Sequence, residues 1–322
     1  MRTSTFTLET ADGVPVHVRR WLPDEDTEAR GVVQLIHGMQ EHTGRYERVA
    51  QALTTAGYAM YGNDLRGHGL SVTDEEDHVF FAEDRGWARV LDDVYRLNRR
   101  IREEHPDVPA YLLGHSMGSY LAQQFLFTFP GAIDGALLSG TSGGTDPLVE
   151  AGAVAARLER LRLGKRGRSR LLNTLAFGPN NKGFEPVRTE FDWLSSDPAE
   201  VQAYVDDPWC GIRPTTQFWV DLLSGMRVIA DPERQRRIPP DLPILVFSGE
   251  LDPIGGRTAK VRKLLDAYEA AGLRRVTHRF YPGRHELLFD VARDEVLADV
   301  IAWLDDVTTE HESATWEREL PA

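Results

Sequence analysis

Gly114-His115-Ser116-Met117-Gly118 places a serine two positions from a glycine on either side. The segment follows the apolar run Ala110–Leu113 and opens a helical pattern, Ser116–Phe129. A serine on a tight strand-to-helix turn needs small neighbours, because the backbone there is crowded. Such a turn exposes the hydroxyl, and the helix N-terminus supplies N–H groups for a developing oxyanion. A serine hydroxyl is a weak nucleophile at neutral pH. It requires a base, and the base requires an orienting carboxylate. The chemistry expected of this segment is acyl transfer through a covalent serine intermediate.

With that turn, the acid and the base belong on loops at the carboxyl ends of later strands. Leu242–Phe247 runs into Ser248-Gly249-Glu250-Leu251-Asp252-Pro253, and Arg275–Tyr281 runs into Pro282-Gly283-Arg284-His285-Glu286. Asp252 and His285 are therefore the expected acid and base, in the chain order Ser116, Asp252, His285. Glu250 and Asp146 compete for the acid role. Among other histidines, His115 flanks the serine but should point elsewhere, His278 lies within a strand, and His42 and His68 lie on loops. His37 belongs to His37-Gly38-Met39-Gln40, after the first buried strand, where Gly38 permits a backbone direction that β-carbons disfavour. The two oxyanion donors expected are the backbone N–H groups of Met117 and Met39.

These loops need a sheet to hold them. Ser4–Glu9 and Val14–Trp21 read as a hairpin around Asp12-Gly13. Val32–Ile36, Tyr58–Tyr61, Ala110–Leu113 and Ile133–Leu138 read as strands. Between them, Tyr46–Ala56 and Asp84–Glu104 read as helices, the second with Trp87, Val90, Leu91, Val94, Leu97 and Ile101 on one stripe. Alternation of this kind predicts an α/β fold, a mostly parallel central sheet flanked by helices. From about 142 to 235 the rhythm breaks into helical segments, prolines and aromatics. It resumes at Leu242–Phe247, followed by a helix Thr258–Ala271, the strand Arg275–Tyr281 and a last helix Asp294–Val307. We expect 1–141 and 236–307 to form the two parts of an α/β core, 142–235 a helical cap inserted between them, and 308–322 a polar C-terminal tail.

Composition removes other classes. Fifty acidic residues against 37 basic ones give a formal charge of −13 over 322 residues, which disfavours nucleic acid as a partner. Cys210 is the single cysteine, so neither an intrachain disulfide nor a cysteine-based zinc site is expected. No apolar segment reaches the roughly 18 residues of a membrane span, and the N-terminus has no apolar signal core. A soluble, cytoplasmic chain is the expectation. We find no metal motif, no Walker loop and no dinucleotide fingerprint, and triad chemistry requires no cofactor.

The motifs together resemble the α/β-hydrolase superfamily, in particular its monoacylglycerol lipase and lysophospholipase-like branch. His37-Gly38-Met39-Gln40-Glu41-His42-Thr43-Gly44-Arg45-Tyr46 is similar to that branch's H-G-x-x-E-H-x-x-R-Y segment. Asp64-Leu65-Arg66-Gly67-His68-Gly69-Leu70-Ser71 looks like its D-x-R-G-H-G-x-S segment, whose role there is mainly to shape a loop under the site. The serine turn and the Asp252 and His285 loops match in the same order. The resemblance implies the triad and oxyanion donors named above, no cofactor, and an ester or lipid substrate. It also implies that 142–235 is the branch's cap. Phe177, Trp193, Trp209, Phe218 and Trp219 are candidates for an apolar acyl pocket, not separable here from the cap's own core, where Cys210 is expected to pack. Arg157–Arg170 holds seven Lys or Arg and one Glu. With Leu158, Leu161 and Leu163 it leaves transient contact with a membrane surface open beside a plain solvated face. The reading is a serine hydrolase of carboxylic esters: monoacylglycerols, lysophospholipids or smaller esters. An acyltransferase, a peptidase or a ligand-binding receptor on the same fold remain the alternatives, and the oligomeric state stays open.

Overall fold

The strands of the described residues all join one sheet. The computed structural model describes residues 1–24, 28–143 and 147–319; Asp146 lies outside them. Eight strands run β1 (Arg2–Glu9), β2 (Pro15–Leu22), β3 (Gly31–Ile36), β4 (Tyr58–Asn63), β5 (Ala110–His115), β6 (Gly135–Ser139), β7 (Ile244–Gly249) and β8 (Val276–Tyr281). They lie side by side in the order β1-β2-β4-β3-β5-β6-β7-β8. The β1–β2 and β2–β4 pairs are antiparallel, and every pair from β4 to β8 is parallel. Strands β3 to β7 are buried at every position. A parallel sheet covered on both faces demands this, and it explains their unbroken apolar runs.

Helices α1 (Glu47–Thr55) and α10 (Arg293–Glu319) pack on one face. Helices α2 (Gly86–Glu104), α3 (Met117–Thr128) and α9 (Ala259–Ala270) pack on the other. The expected stripe on α2 is the buried one: Trp87, Val90, Leu91, Val94, Leu97 and Ile101. Helix α10 departs from the expected end at Val307 and continues to Glu319. Thr308 is buried, and its hydroxyl lies 2.7 Å from that of Tyr111 and 3.1 Å from that of Tyr58. A polar residue thus extends the packed face by one position, and a helix already nucleated elongates at little cost.

Between β6 and β7 the described residues form five helices and no strand: α4 (Pro147–Leu163), α5 (Arg170–Phe177), α6 (Pro198–Asp206), α7 (Thr216–Ile229) and α8 (Pro232–Gln235). Ser169, Asp197, Thr215 and Asp231 each cap the following helix through a side-chain oxygen, as expected of these residue types at an N-terminus. The chain leaves the carboxyl ends of β3, β5, β7 and β8 on one edge of the sheet, under these helices. Ligands gather on that edge of open α/β sheets.

Candidate active site

Ser116 occupies the turn between β5 and α3 with φ 51° and ψ −120°. This is strained for any residue with a β-carbon. Its N–H donates to the Ser139 carbonyl at 2.9 Å. The glycines around it leave room for close backbone approach. A β-carbon on Gly118 would stand 2.0 Å from the Ile36 carbonyl oxygen, and one on Gly114 would stand 2.6 Å from that of Gly118.

His285 places Nε2 2.8 Å from Ser116 Oγ, and its Nδ1 lies 3.0 Å from Asp252 Oδ1. A carboxylate only accepts, so Nδ1 carries the proton and the Nε2 lone pair faces the serine hydroxyl. Asp252 is fully buried and accepts the Ile254 N–H at 2.8 Å. Burial acts to lower the pKa of His285, but the Asp252 carboxylate outweighs it and holds the imidazole above its ordinary value of 6.5. The cap supports this loop: the Glu286 N–H donates to the Leu194 carbonyl at 2.8 Å, and the Trp193 ring lies 5.0 Å from that of His285.

The competing residues are placed elsewhere. Glu250 is exposed and His278 faces solvent on β8. His115 is buried 5.1 Å from the His285 ring, and burial, aided by His285, lowers its pKa to about 3. His37 donates from Nδ1 to the Gly38 carbonyl at 2.7 Å and accepts the Leu65 N–H at 2.9 Å, so it pins its loop. Asp64 accepts from the Thr43 and Leu70 N–H groups, and Arg66 pairs with Asp12 and Asp93. That segment is structural.

Gly38 is not in the left-handed region; a β-carbon there would stand 3.2 Å from that of Ser116. Space, not backbone direction, requires the glycine. The left-handed residue of this loop is Gln40, at φ 62°.

Met39, Ser116, Met117 and His285 open onto one cavity of about 430 Å³. Phe177, Trp193 and Trp219 line it, but Phe218 and Trp209 do not. Phe218 is fully buried in the core, 4.8 Å from the Phe81 ring, because neighbours on α7 point about 100° apart. Trp209 lies outside, its ring 5.7 Å from that of His78 and tilted against it. Leu222, Leu223 and Met226 also line the cavity. With Trp219 they follow the i, i+3, i+4, i+7 spacing, a signal present in the sequence. Trp193, Leu194, Tyr204 and Cys210 form the cap's small core, and burial pushes the Cys210 thiol far up.

His42, Asp207 and Cys210 bring ligand atoms within 4.8 Å of one another. Yet His42 Nδ1 accepts the Gly44 N–H at 3.2 Å, so Nε2 donates its proton to Asp207 at 2.8 Å. No imidazole lone pair is left for a metal.

The eight-stranded sheet, its serine turn and the helices above its carboxyl edge define an α/β-hydrolase. The sequence profile of the family described as serine aminopeptidase, S33 matches residues 27–292. The monoacylglycerol lipase of Mycolicibacterium smegmatis is 30% identical over 300 residues, 91% of this chain and 93% of that protein. The mouse monoglyceride lipase is 27% identical, over 92% and 89% of the two chains. A thermostable carboxyl esterase from Bacillus coagulans, solved with glycerol, superposes with a TM-score of 0.87 at 26% identity, over 96% of this chain and 99% of that one. The chain belongs to the S33 family of α/β-hydrolases, in its monoacylglycerol lipase-like branch, and is a serine ester hydrolase. No helix among the described residues is long and apolar enough to cross a membrane.

Proposed function

We propose that the protein hydrolyses the carboxylic ester of a monoacylglycerol or a similar single-chain ester, with Ser116, His285 and Asp252 as the catalytic triad. His285 Nε2 takes the Ser116 proton as Oγ attacks the acyl carbonyl. Asp252 holds the ring and stabilises its charged form, and the N–H groups of Met39 and Met117 receive the oxyanion. His285 then protonates the leaving alcohol, and a water activated by the same nitrogen releases the acid. The observation that carries this reading is the unbroken Ser116–His285–Asp252 hydrogen-bond chain, opening onto an apolar cavity.

Esters suit the cavity better than peptides with a free amino terminus. The acidic residues lining it are Glu41 and Glu286, and both carboxylates bind Arg45, at 2.7 Å each. Neither offers an unpaired anion to a substrate ammonium group. The Leu148, Leu158, Leu161, Leu171 and Leu175 side chains of the cap are exposed. We assign that surface to contact with the lipid aggregate presenting the substrate.

The test is hydrolysis of a p-nitrophenyl ester series, acetate through palmitate, and of a long-chain monoacylglycerol, by wild type and Ser116→Ala. The mutation should lower kcat by about 10³–10⁶-fold with folding intact. Retained turnover in the mutant would end the serine mechanism. Transfer to added alcohols in preference to water would move the assignment to an acyltransferase.

A further inference from the structure

The loop that carries Met39 is held from two sides. On the core side, the Gly38 N–H donates to Glu41 Oε1 at 2.5 Å, and the Tyr46 hydroxyl donates to the same oxygen at 2.9 Å. The Gly38 N–H is thereby engaged and unavailable to an oxyanion, which agrees with Met39 as the proposed donor of this loop. On the cap side, the Gln40 carbonyl accepts from the Tyr204 hydroxyl at 2.9 Å and from the Gly211 N–H at 3.0 Å. The Gln40 side-chain amide donates to the Ile212 carbonyl at 2.8 Å. His42, two residues on, pairs with Asp207. Met39 thus lies between a residue fixed by the core and a left-handed residue fixed by the cap. Gln40 and Tyr204 are both buried.

We propose that Gln40 and Tyr204 are positioning residues: the cap segment Tyr204–Ile212 completes the oxyanion site by clamping Gln40. The inference rests on the reading of Met39 as an oxyanion donor. An oxyanion donor must stand within about 2.7–3.1 Å of the developing charge. A non-glycine residue in the left-handed region returns to commoner conformations unless its surroundings hold it. Loosening the clamp therefore costs transition-state stabilisation and leaves substrate binding in place. Cap and core thus share one catalytic element, and freeing residues 204–212 from Gln40 would slow the acyl-transfer step.

Tyr204→Phe tests this. It removes the hydroxyl and keeps the ring, which packs 5.0 Å from Phe191 and lies 4.8 Å from the Arg45 guanidinium carbon. The double variant Tyr204→Phe/Gln40→Met also removes the amide donor. Steady-state kinetics on a p-nitrophenyl ester are read beside the Ki of an alkylboronic acid, whose tetrahedral adduct on Ser116 sets an oxygen in the oxyanion site. We expect Tyr204→Phe to lower kcat about 10-fold and raise the boronate Ki by a similar factor, with KM within about twofold, and the double variant to lose more. Unchanged kcat and Ki in variants of wild-type melting temperature overturn the inference. So does a raised KM at constant kcat, which would make Tyr204 a substrate contact. Ester turnover that survives Ser116→Ala removes instead the serine reading beneath it.

Discussion

At the scale of single residues, the strongest determinant of the proposed chemistry is the Asp252 carboxylate behind His285. His285 acts as a base only when neutral. Asp252 raises its pKa above 6.5 against the opposing effect of burial. The kcat/KM profile should therefore fall on the acid side with an apparent pKa above 6.5. Asp252→Asn removes the anion and lets burial act alone, so the acid limb should move to lower pH. It also replaces an acceptor-only carboxylate by an amide that can donate to Nδ1 and so favour the wrong tautomer, and kcat should drop about 10³–10⁴-fold. A pH–rate profile of the two proteins decides the matter; an acid limb that stays in place in Asp252→Asn would show that Asp252 does not set the His285 pKa. The three proposed triad residues were legible because each follows the carboxyl end of a strand, Ser116 directly after β5 and Asp252 and His285 in the loops after β7 and β8. Gln40 was not. Nothing in its type signals a left-handed backbone, and its partners Tyr204, Gly211 and Ile212 lie more than 160 positions away.

At the scale of elements, the turn from β5 to α3 makes the demand that the sequence announced most clearly. Helix α3 can begin where it does only because Gly118 lets its first turn approach the β3 backbone. A β-carbon at Gly118 would meet the carbonyl oxygens of Ile36 at 2.0 Å and His37 at 2.6 Å. These are main-chain atoms of a buried strand and its loop, and they cannot swing aside. Gly118→Ala should push α3 away from β3, cost about 1–3 kcal/mol or more of stability, and disturb the 2.8 Å contact between Ser116 and His285. Thermal unfolding and kcat measured together test this; a variant with wild-type melting temperature and rate would show that α3 does not need that approach. The cap was less legible than the sheet. Its aromatics announce a core and a pocket together, and only the helical phase on α7, which turns Phe218 inward and Trp219 to the cavity, separates them. The end of α10 was also hidden, because Thr308 is polar by type yet buried between two tyrosine hydroxyls.

At the scale of the whole molecule, the cap's outer surface departs from what a chain of charge −13 would be expected to show to solvent. Helix α4 turns Ala153 and Ala156 inward and Val154, Leu158 and Leu161 outward, the last two 61% and 80% exposed. Leu171 and Leu175 of α5 are exposed as well, and Leu148 and Leu175 also line the cavity. Two exposed leucines of the cap thus border the proposed acyl site, where a route from an aggregate of single-chain lipids would enter. The basic run Arg157–Arg170, for which a solvated face or membrane contact was expected, is in part engaged by acidic side chains of the protein. Arg162 pairs with Glu159, while Lys165 and Arg166 reach Glu83 and Asp77 of the core. Lys165 and Arg166 thus tie the cap to the core, and Arg162 pairs within the cap. Attachment should thus depend on apolar area and change little with salt or with the content of anionic lipid. Burying two leucines contributes about 3 kcal/mol or more, so Leu158→Glu/Leu161→Glu should weaken flotation with phosphatidylcholine vesicles by about 100-fold. Hydrolysis of monoacylglycerol presented in those vesicles should fall with it. Turnover of soluble p-nitrophenyl butyrate should stay within about twofold, since neither leucine lines the cavity. Equal flotation of the two proteins would refute the lipid-facing assignment. Wild-type binding that collapses with salt would move it from the leucines to the arginines at the ends of the basic run.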